Sequence, residues 1–287
     1  MPATIGTIET HVGEKGLGYL PDLLTRQDTP VVLTKRLSTL PDESPDLPLS
    51  PRTSDQGALG SCTGQAVVGA KEDQDLRHGL DVDWSRRWAY LLGLLGLRKL
   101  TLEDYRRSPS TVRPQLSDTG ALIRHVVDGV NRYGCPSEAL WPYDIGSFNA
   151  LPDDIAIAQA SRNRLLAKSY CASAEEARVA LHEGYSVILG FMVYASFTQV
   201  GSDGLYRIPS GRPQGGHAVQ AVKHSATYVV PGFGPGAFLM RNSWGLAWGR
   251  SHPTMAAKIP GRGFFWLPDE IVDSRDVDDI WAIKQEA

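Results

Sequence analysis

Asp55-Gln56-Gly57-Ala58-Leu59-Gly60-Ser61-Cys62-Thr63-Gly64-Gln65-Ala66 is the stretch on which the fold turns. Gly60-Ser61 is a turn and N-cap signal, and Cys62, Ala66, Val67 and Ala70 then recur at helical spacing. A cysteine is thereby set at a helix start, where unsatisfied N–H groups and the positive end of the macrodipole favour negative charge. That lowers a thiol pKa, and an adjacent imidazolium lowers it further. Most cysteines so placed are inert core thiols, so Cys62 gains weight only from its partners.

Acyl chemistry by a thiol needs a base within reach of it, a group that orients the base, and donors for the developing oxyanion. Each has one candidate downstream or just upstream. His217 lies in Gly215-Gly216-His217-Ala218-Val219, where glycines lead into an apolar strand. Asn242 lies in Arg241-Asn242-Ser243-Trp244-Gly245, and a neutral amide can fix an imidazole's tautomer and ring plane. Trp244 could cover that hydrogen bond. Gln56 precedes the cysteine, and its amide could join the Cys62 backbone N–H as an oxyanion donor. Taken singly, each is ordinary packing or loop chemistry.

Around these motifs the pattern changes along the chain. Up to about Pro51 the sequence is rich in Pro, Thr, Asp and Ser, and its prolines forbid long helices, so it reads as an extended arm. A helix is expected from near Asp83, with Trp84, Trp88, Leu91, Leu92 and Leu95 on one face. Another is expected from about Asp118 through Ile123, Val126, Val127 and Val130, closed by Gly134, and a short one over Glu175 to Glu183. Strands are expected at 186–193, 218–222, 237–240, 264–267 and 280–283. Helices first and strands later argue for an α+β class with two segregated lobes.

Composition narrows the function. With 287 residues, 42% hydrophobic and 21% charged, the chain can build a sizeable core. A net charge of -3 and the lack of a Lys/Arg stripe disfavour nucleic acid as a partner. No run reaches the roughly 20 apolar residues of a membrane span, and no signal peptide is evident. A cytoplasmic location, or export by a route without a recognisable signal, is therefore expected. Three cysteines make no disulfide framework, although Cys135 and Cys171 could pair, and no zinc-ligand spacing occurs.

Together, Gln-Gly…Gly-Ser-Cys, Gly-Gly-His-Ala-Val and Asn-Ser-Trp-Gly…Trp-Gly, in this order, resemble the papain family of cysteine peptidases. Arg132-Tyr133-Gly134…Trp141-Pro142-Tyr143 is similar to a further stretch of that family. The resemblance implies a papain-like two-lobed fold, a helical lobe plus an antiparallel β-barrel-like lobe with the cleft between them. It implies Cys62 as nucleophile, His217 as general acid/base, Asn242 as orienter and Gln56 as oxyanion donor. Gly120, Gly216 and Trp244 would then line the substrate site, with Trp244 also shielding the His–Asn bond. Implied too are a resting thiolate–imidazolium pair, an acyl-enzyme, a protein or peptide substrate, and neither metal nor organic cofactor. Residues 1–45 would be an N-terminal arm and candidate pro-segment that packs on the cleft. Residues 46–287 would be the peptidase domain, helical to about 165 and β from about 166.

Two departures stand out. Leu59 replaces the family's usual cysteine, so a common disulfide cannot form, and Thr63 replaces the aromatic after the nucleophile. The first of these, with the missing signal peptide, resembles bacterial members more than lysosomal ones. Extra length is expected in loops at 224–236 and 250–262. Two other readings stay open: an acyltransferase or deamidase on the same triad, and a non-catalytic binding module of the same fold.

Overall fold

The computed structural model describes residues 11–12, 14–22, 28–162 and 167–285. The rest of the arm and the expected lobe boundary near 165 lie outside the described residues. In chain order the elements begin with a small hairpin, β1 (His11–Val12) and β2 (Lys15–Gly16). Then come α1 (Cys62–Arg77), α2 (Arg86–Leu97), α3 (Leu102–Arg107), α4 (Ile123–Tyr133) and α5 (Asp154–Ala160). After these follow β3 (Ala167–Tyr170), α6 (Ala174–His182), β4 (Ser186–Tyr194), β5 (Pro213–Val229), β6 (Pro235–Arg241), β7 (Phe264–Pro268), α7 (Asp269–Val272) and β8 (Val277–Lys284).

Strands β3 to β8 form one six-stranded antiparallel sheet in the order β3-β8-β4-β5-β6-β7. Its central strands are apolar in unbroken runs because both faces are covered. Along β4, Val187 and Leu189 point into a core shared with α6, whereas Ile188 joins the core around α1, α2 and α4. Val219 and Ala218 divide the same way on β5. The two lobes are thus joined across the sheet, and Trp281 and Ile283 of β8 belong to the helical core.

Helix α1 is the axis of the molecule and is buried on every side. Its charged residues are each met by a partner. Lys71 pairs with Asp75 at 2.9 Å, Arg86 with Glu72 at 3.0 Å, and Arg241 with Asp73 at 3.2 Å. Buried charges persist only when paired in this way.

Some expectations shift. The helix expected from near Asp83 opens at Arg86, because the Ser85 hydroxyl caps it by accepting from the Trp88 N–H. Trp84 instead bridges to Ser137. The helix expected from Asp118 opens only at Ile123: Asp118 spends its carboxylate on the Gly60 N–H and the Tyr90 hydroxyl, and Gly120 takes φ +76°. Residues 224–229 extend β5 rather than forming a loop. Cys135 and Cys171 are free, buried and in different cores. No helix of the described residues is long and apolar enough to cross a membrane.

Candidate active site

Cys62 is the first residue of α1, and its sulfur faces the backbone N–H groups of Thr63, Ala218 and Gly18. Ala218 follows His217 on β5, so sulfur and imidazole lie against the same strand. His217 sits opposite Phe191 of β4. Its Nε2 is 2.7 Å from Asn242 Oδ1, and its Nδ1 is buried with no hydrogen-bond partner among the described residues. The Ser243 N–H also donates to Asn242 Oδ1 at 2.8 Å, which fixes the amide with its oxygen toward the ring. A neutral His217 must therefore carry its proton on Nε2, and the Nδ1 lone pair is left to accept one.

Three aromatic rings hold this pair. Trp244 lies 5.0 Å from the His217 ring between centroids, Phe191 6.0 Å and Phe197 6.3 Å. Trp244 is 4% exposed and packs on His217, Phe197 and Trp248. Phe191 and Phe197 were not singled out in the sequence, because a strand phenylalanine and a loop phenylalanine carry no positional signature.

Gln56 is anchored on three sides. Its Oε1 accepts from the Ser243 hydroxyl at 2.6 Å, and its Nε2 donates to the carbonyls of Leu59 (2.8 Å) and Gly16 (3.0 Å). Tyr143 donates to the Gln56 carbonyl at 2.9 Å and shares a hydrogen bond with Ser61 Oγ at 2.6 Å. Both amide protons of Gln56 are thus engaged in this state, one by the arm.

That arm crosses the cleft. Tyr19 N–H donates to the Gly216 carbonyl at 3.0 Å, Ala121 N–H to the Gly18 carbonyl at 2.7 Å, and Leu20 N–H to the Ala121 carbonyl at 3.1 Å. Residues 18–20 are an extended strand paired to both walls. Gly120, Gly216 and Gly18 permit the approach: a Cβ on Gly18 would lie 1.7 Å from the Gly60 oxygen, one on Gly120 2.2 Å from the Gly18 oxygen, and one on Gly216 2.3 Å from the Tyr19 oxygen. Of the three residues expected to line the substrate site, Gly120 and Gly216 therefore meet the strand in the cleft, while Trp244 meets His217.

Burial works against charge on both groups. Cys62 and His217 are both fully buried. Burial pushes the Cys62 thiol up to about 11, against the pull of the backbone donors from Ala218, Gly18 and Thr63, and nearby Asp118 adds to the rise. Burial also pushes His217 down to about 4, with the Asn242 hydrogen bond opposing. Burial thus raises the thiol and lowers the imidazole, and both shifts work against the charged pair that the resemblance implies while the cleft is covered.

A carboxylate orders the near wall. Asp118 accepts from the Gly60 N–H and from the Tyr90 hydroxyl, and that hydroxyl accepts from the Gly120 N–H at 3.1 Å. The loop before Cys62 is thereby tied to the edge that pairs with the arm. Among the described residues no group of three or more His, Cys, Asp or Glu could hold a metal ion.

Xylellain, a cysteine protease from Xylella fastidiosa, superposes with a TM-score of 0.76 and 22% identity, covering 99% of this chain and 100% of its own. The chain has a papain-like fold. Procathepsin B S9 from Trypanosoma congolense shares the papain-like fold with a TM-score of 0.63 at 17% identity over 94% of this chain and 87% of its own. The digestive procathepsin L 3 of Tenebrio molitor gives 0.63 at 16% over 95% and 77%. An uncharacterized peptidase C1-like protein of Acanthamoeba polyphaga mimivirus is 26% identical over 254 residues, 83% of this chain and 71% of the relative. No protein-family model matches the chain.

Proposed function

We propose that this chain is a cysteine peptidase whose cleft is held shut by its own N-terminal arm. The observation that carries the reading is the oriented pair: an imidazole with Nε2 bound to Asn242 and Nδ1 free, against the strand that faces the sulfur of a helix-start cysteine. The papain-like fold shared with cysteine proteases, and the peptidase C1-like relative, support it.

Chemistry starts when residues 16–20 leave the cleft. Water then lowers the penalty on charge, and Cys62 can pass its proton to His217 Nδ1, giving a thiolate beside an imidazolium that Asn242 holds in plane. The sulfur attacks a peptide carbonyl carbon, and the carbon–oxygen π pair moves to the oxygen. Two donors meet that oxyanion: the Gln56 Nε2–H released by Gly16, and the Cys62 N–H, one of those a helix start leaves without an intrahelical partner. His217 returns its proton to the leaving amine as the C–N bond breaks, and a thioester remains. His217 then takes a proton from water as the water oxygen attacks the thioester carbon, the C–S bond breaks to release the acyl group as a carboxylic acid, and the Cys62 thiolate is left beside the His217 imidazolium. Residues 1–45 serve as a pro-segment in this reading, with the Gly16 carbonyl on the very donor that a substrate oxygen would use.

The test is release of new N-termini from casein between pH 5 and 7, using the full chain, its Gly18→Val variant and its Cys62→Ala variant. Cleavage by Gly18→Val, less by the full chain and none by Cys62→Ala is expected. No cleavage by Gly18→Val at any pH would remove the peptidase reading.

A further inference from the structure

The bond to His217 uses only half of the Asn242 amide. Oδ1 meets the ring and the Ser243 N–H, but Nδ2 is buried with no hydrogen-bond partner among the described residues. Asn242 lines an internal cavity of about 10 Å³, whose walls include Gln65 and Gly69 of α1, Gln220 of β5 and Arg241 of β6. Both glutamines are buried, and Gln65 Oε1 and Gln220 Oε1 likewise lack a partner. Their nitrogens are engaged elsewhere. Gln220 Nε2 donates to Asp73 Oδ2 at 2.6 Å, and Gln65 Nε2 to Ser61 Oγ at 3.3 Å. Each amide is thereby fixed with its oxygen, which can only accept, left over.

Gly69 makes room for one of these oxygens. A glycine inside a helix is unfavourable, and Gly69 has no left-handed φ that would call for it. A Cβ there, however, would lie 2.8 Å from Gln220 Oε1. Arg241 Nε and Arg86 Nε, also buried and unpartnered, belong to the same walls and supply a further donor. Two acceptors and two donors around a space of one water's size match a single water, which donates twice and accepts twice. An outer pocket of about 210 Å³ shares Arg52, Ser54 and Gln65 with the cavity, a way in from solvent that does not cross the arm.

We propose that this cavity is a water site that sets the Asn242 amide, with Gln65 and Gln220 as positioning residues. Both protons of the water go to the glutamine oxygens, so it turns only lone pairs toward Asn242. It accepts from Nδ2 and has no proton to give Oδ1. A flipped amide would set Nδ2 against the His217 Nε2–H and Oδ1 against those lone pairs, and is disfavoured at both ends. The asparagine oxygen is thereby kept on the ring, and His217 Nδ1 is left to accept from Cys62. The proposal rests on the peptidase reading for its use; the water and the tautomer can be tested without it.

Three measurements on the full chain test it. A high-resolution crystal structure should show one water within about 3.2 Å of Gln65 Oε1, Gln220 Oε1 and Asn242 Nδ2. A dry cavity would overturn the proposal. Nitrogen-15 NMR of the imidazoles at pH 7, with His217 assigned through His217→Gln, should find His217 as the Nε2–H tautomer alone. Gln65→Met removes one acceptor and frees a water proton, so about a tenth or more of the Nδ1–H tautomer should appear. Gln65→Glu restores the acceptor and should return the single tautomer. Gln220→Met removes the other acceptor and serves if Gln65→Met fails to fold; a single tautomer in the folded Met variants would overturn the proposal. In steady-state cleavage of one peptide, Gln65→Met should lower kcat about five- to tenfold with KM within about twofold, and Gln65→Glu should stay near the parent. A change in KM alone would overturn the positioning role. No cleavage by any of these chains, with water and tautomers as stated, would instead strike the peptidase reading.

Discussion

The carbonyl oxygen of Gly16 accepts a hydrogen bond from the side-chain amide of Gln56 at 3.0 Å. A main-chain carbonyl of the arm therefore occupies the group expected to meet a substrate carbonyl in its charged transition state. Two residues on, Gly18 pairs with Ala121 and touches the loop before Cys62. In the proposed reading the arm and a substrate compete for the Gln56 amide, and the consequences can be measured.

Gly18→Val is expected to open the cleft. The added Cβ would fall 1.7 Å from the Gly60 oxygen, a backbone atom that Asp118 holds in place through the Gly60 N–H. Alkylation of Cys62 should accelerate by about tenfold or more, since burial raises the thiol and the arm at Gly18 is part of its cover. The Tm should stay within a few degrees of the parent. An unchanged alkylation rate would mean that the arm does not control access to the sulfur.

Gln56→Leu should lower kcat by about 10²–10³, the usual loss for one oxyanion donor. Ser243→Ala, which removes only the 2.6 Å bond that holds the Gln56 oxygen, should lose less, about tenfold. Steady-state kinetics on one peptide would show whether that order holds. A reversed order would move the oxyanion site away from Gln56.

Asp118→Ala should weaken substrate pairing rather than bond cleavage. It frees the Gly60 N–H and the Tyr90 hydroxyl, which in turn positions the Gly120 N–H. KM should rise about tenfold with a smaller change in kcat, and Tyr90→Phe should show a milder form of the same split. A loss confined to kcat would contradict a role in shaping the wall.

Acid should destabilise the fold in part through its buried histidines. Burial pushes His217 and His252 down to about 4, whereas an unfolded chain protonates histidine near 6.5. The unfolded state therefore binds protons between about pH 6.5 and 4 that the folded state refuses. The stabilising contribution is complete above that window and is lost as pH falls through it. Glu72 and Asp279, raised by burial to about 7 and about 6, act in the opposite direction, so the comparison of variant with parent isolates the histidine. His252→Asn keeps an acceptor at the place of Nδ1 for the Met255 N–H. Its drop in Tm between pH 7 and 4.5 should be smaller than the parent's by several degrees. Equal drops would mean that His252 titrates normally.

The legibility of these features in the sequence follows from their physics. β4 and β8 are plain because β-rich apolar runs between turn residues have few other readings, whereas the start of α6 at Ala174 is set by the Ser173 cap, which the expected span of Glu175 to Glu183 leaves out. Cys62, His217, Asn242 and Gln56 could be read because their neighbours form ordered motifs. Helix α1 was harder, since burial on all faces removes the amphipathic period, and Lys71, Glu72, Asp73 and Asp75 look like surface until their partners from distant segments are known. The start of α4 was misplaced because nothing local says that Asp118 will serve Gly60 and Tyr90. Asp279 ends a stretch, 273–279, in which acidic residues recur, a pattern that by itself signals solvated surface. Its burial depends on a strand pairing with Gly190 and on Tyr19, some 260 positions earlier in the chain.

Blocking one sulfur tests the account most directly. The Gly18→Val chain would be treated with a peptide-like epoxide until mass spectrometry finds one adduct, and casein cleavage would be followed as the adduct forms. The account predicts an adduct on Cys62, with Cys135 and Cys171 untouched, and cleavage that falls in proportion to labelling. Cleavage that persists with Cys62 fully modified would contradict it.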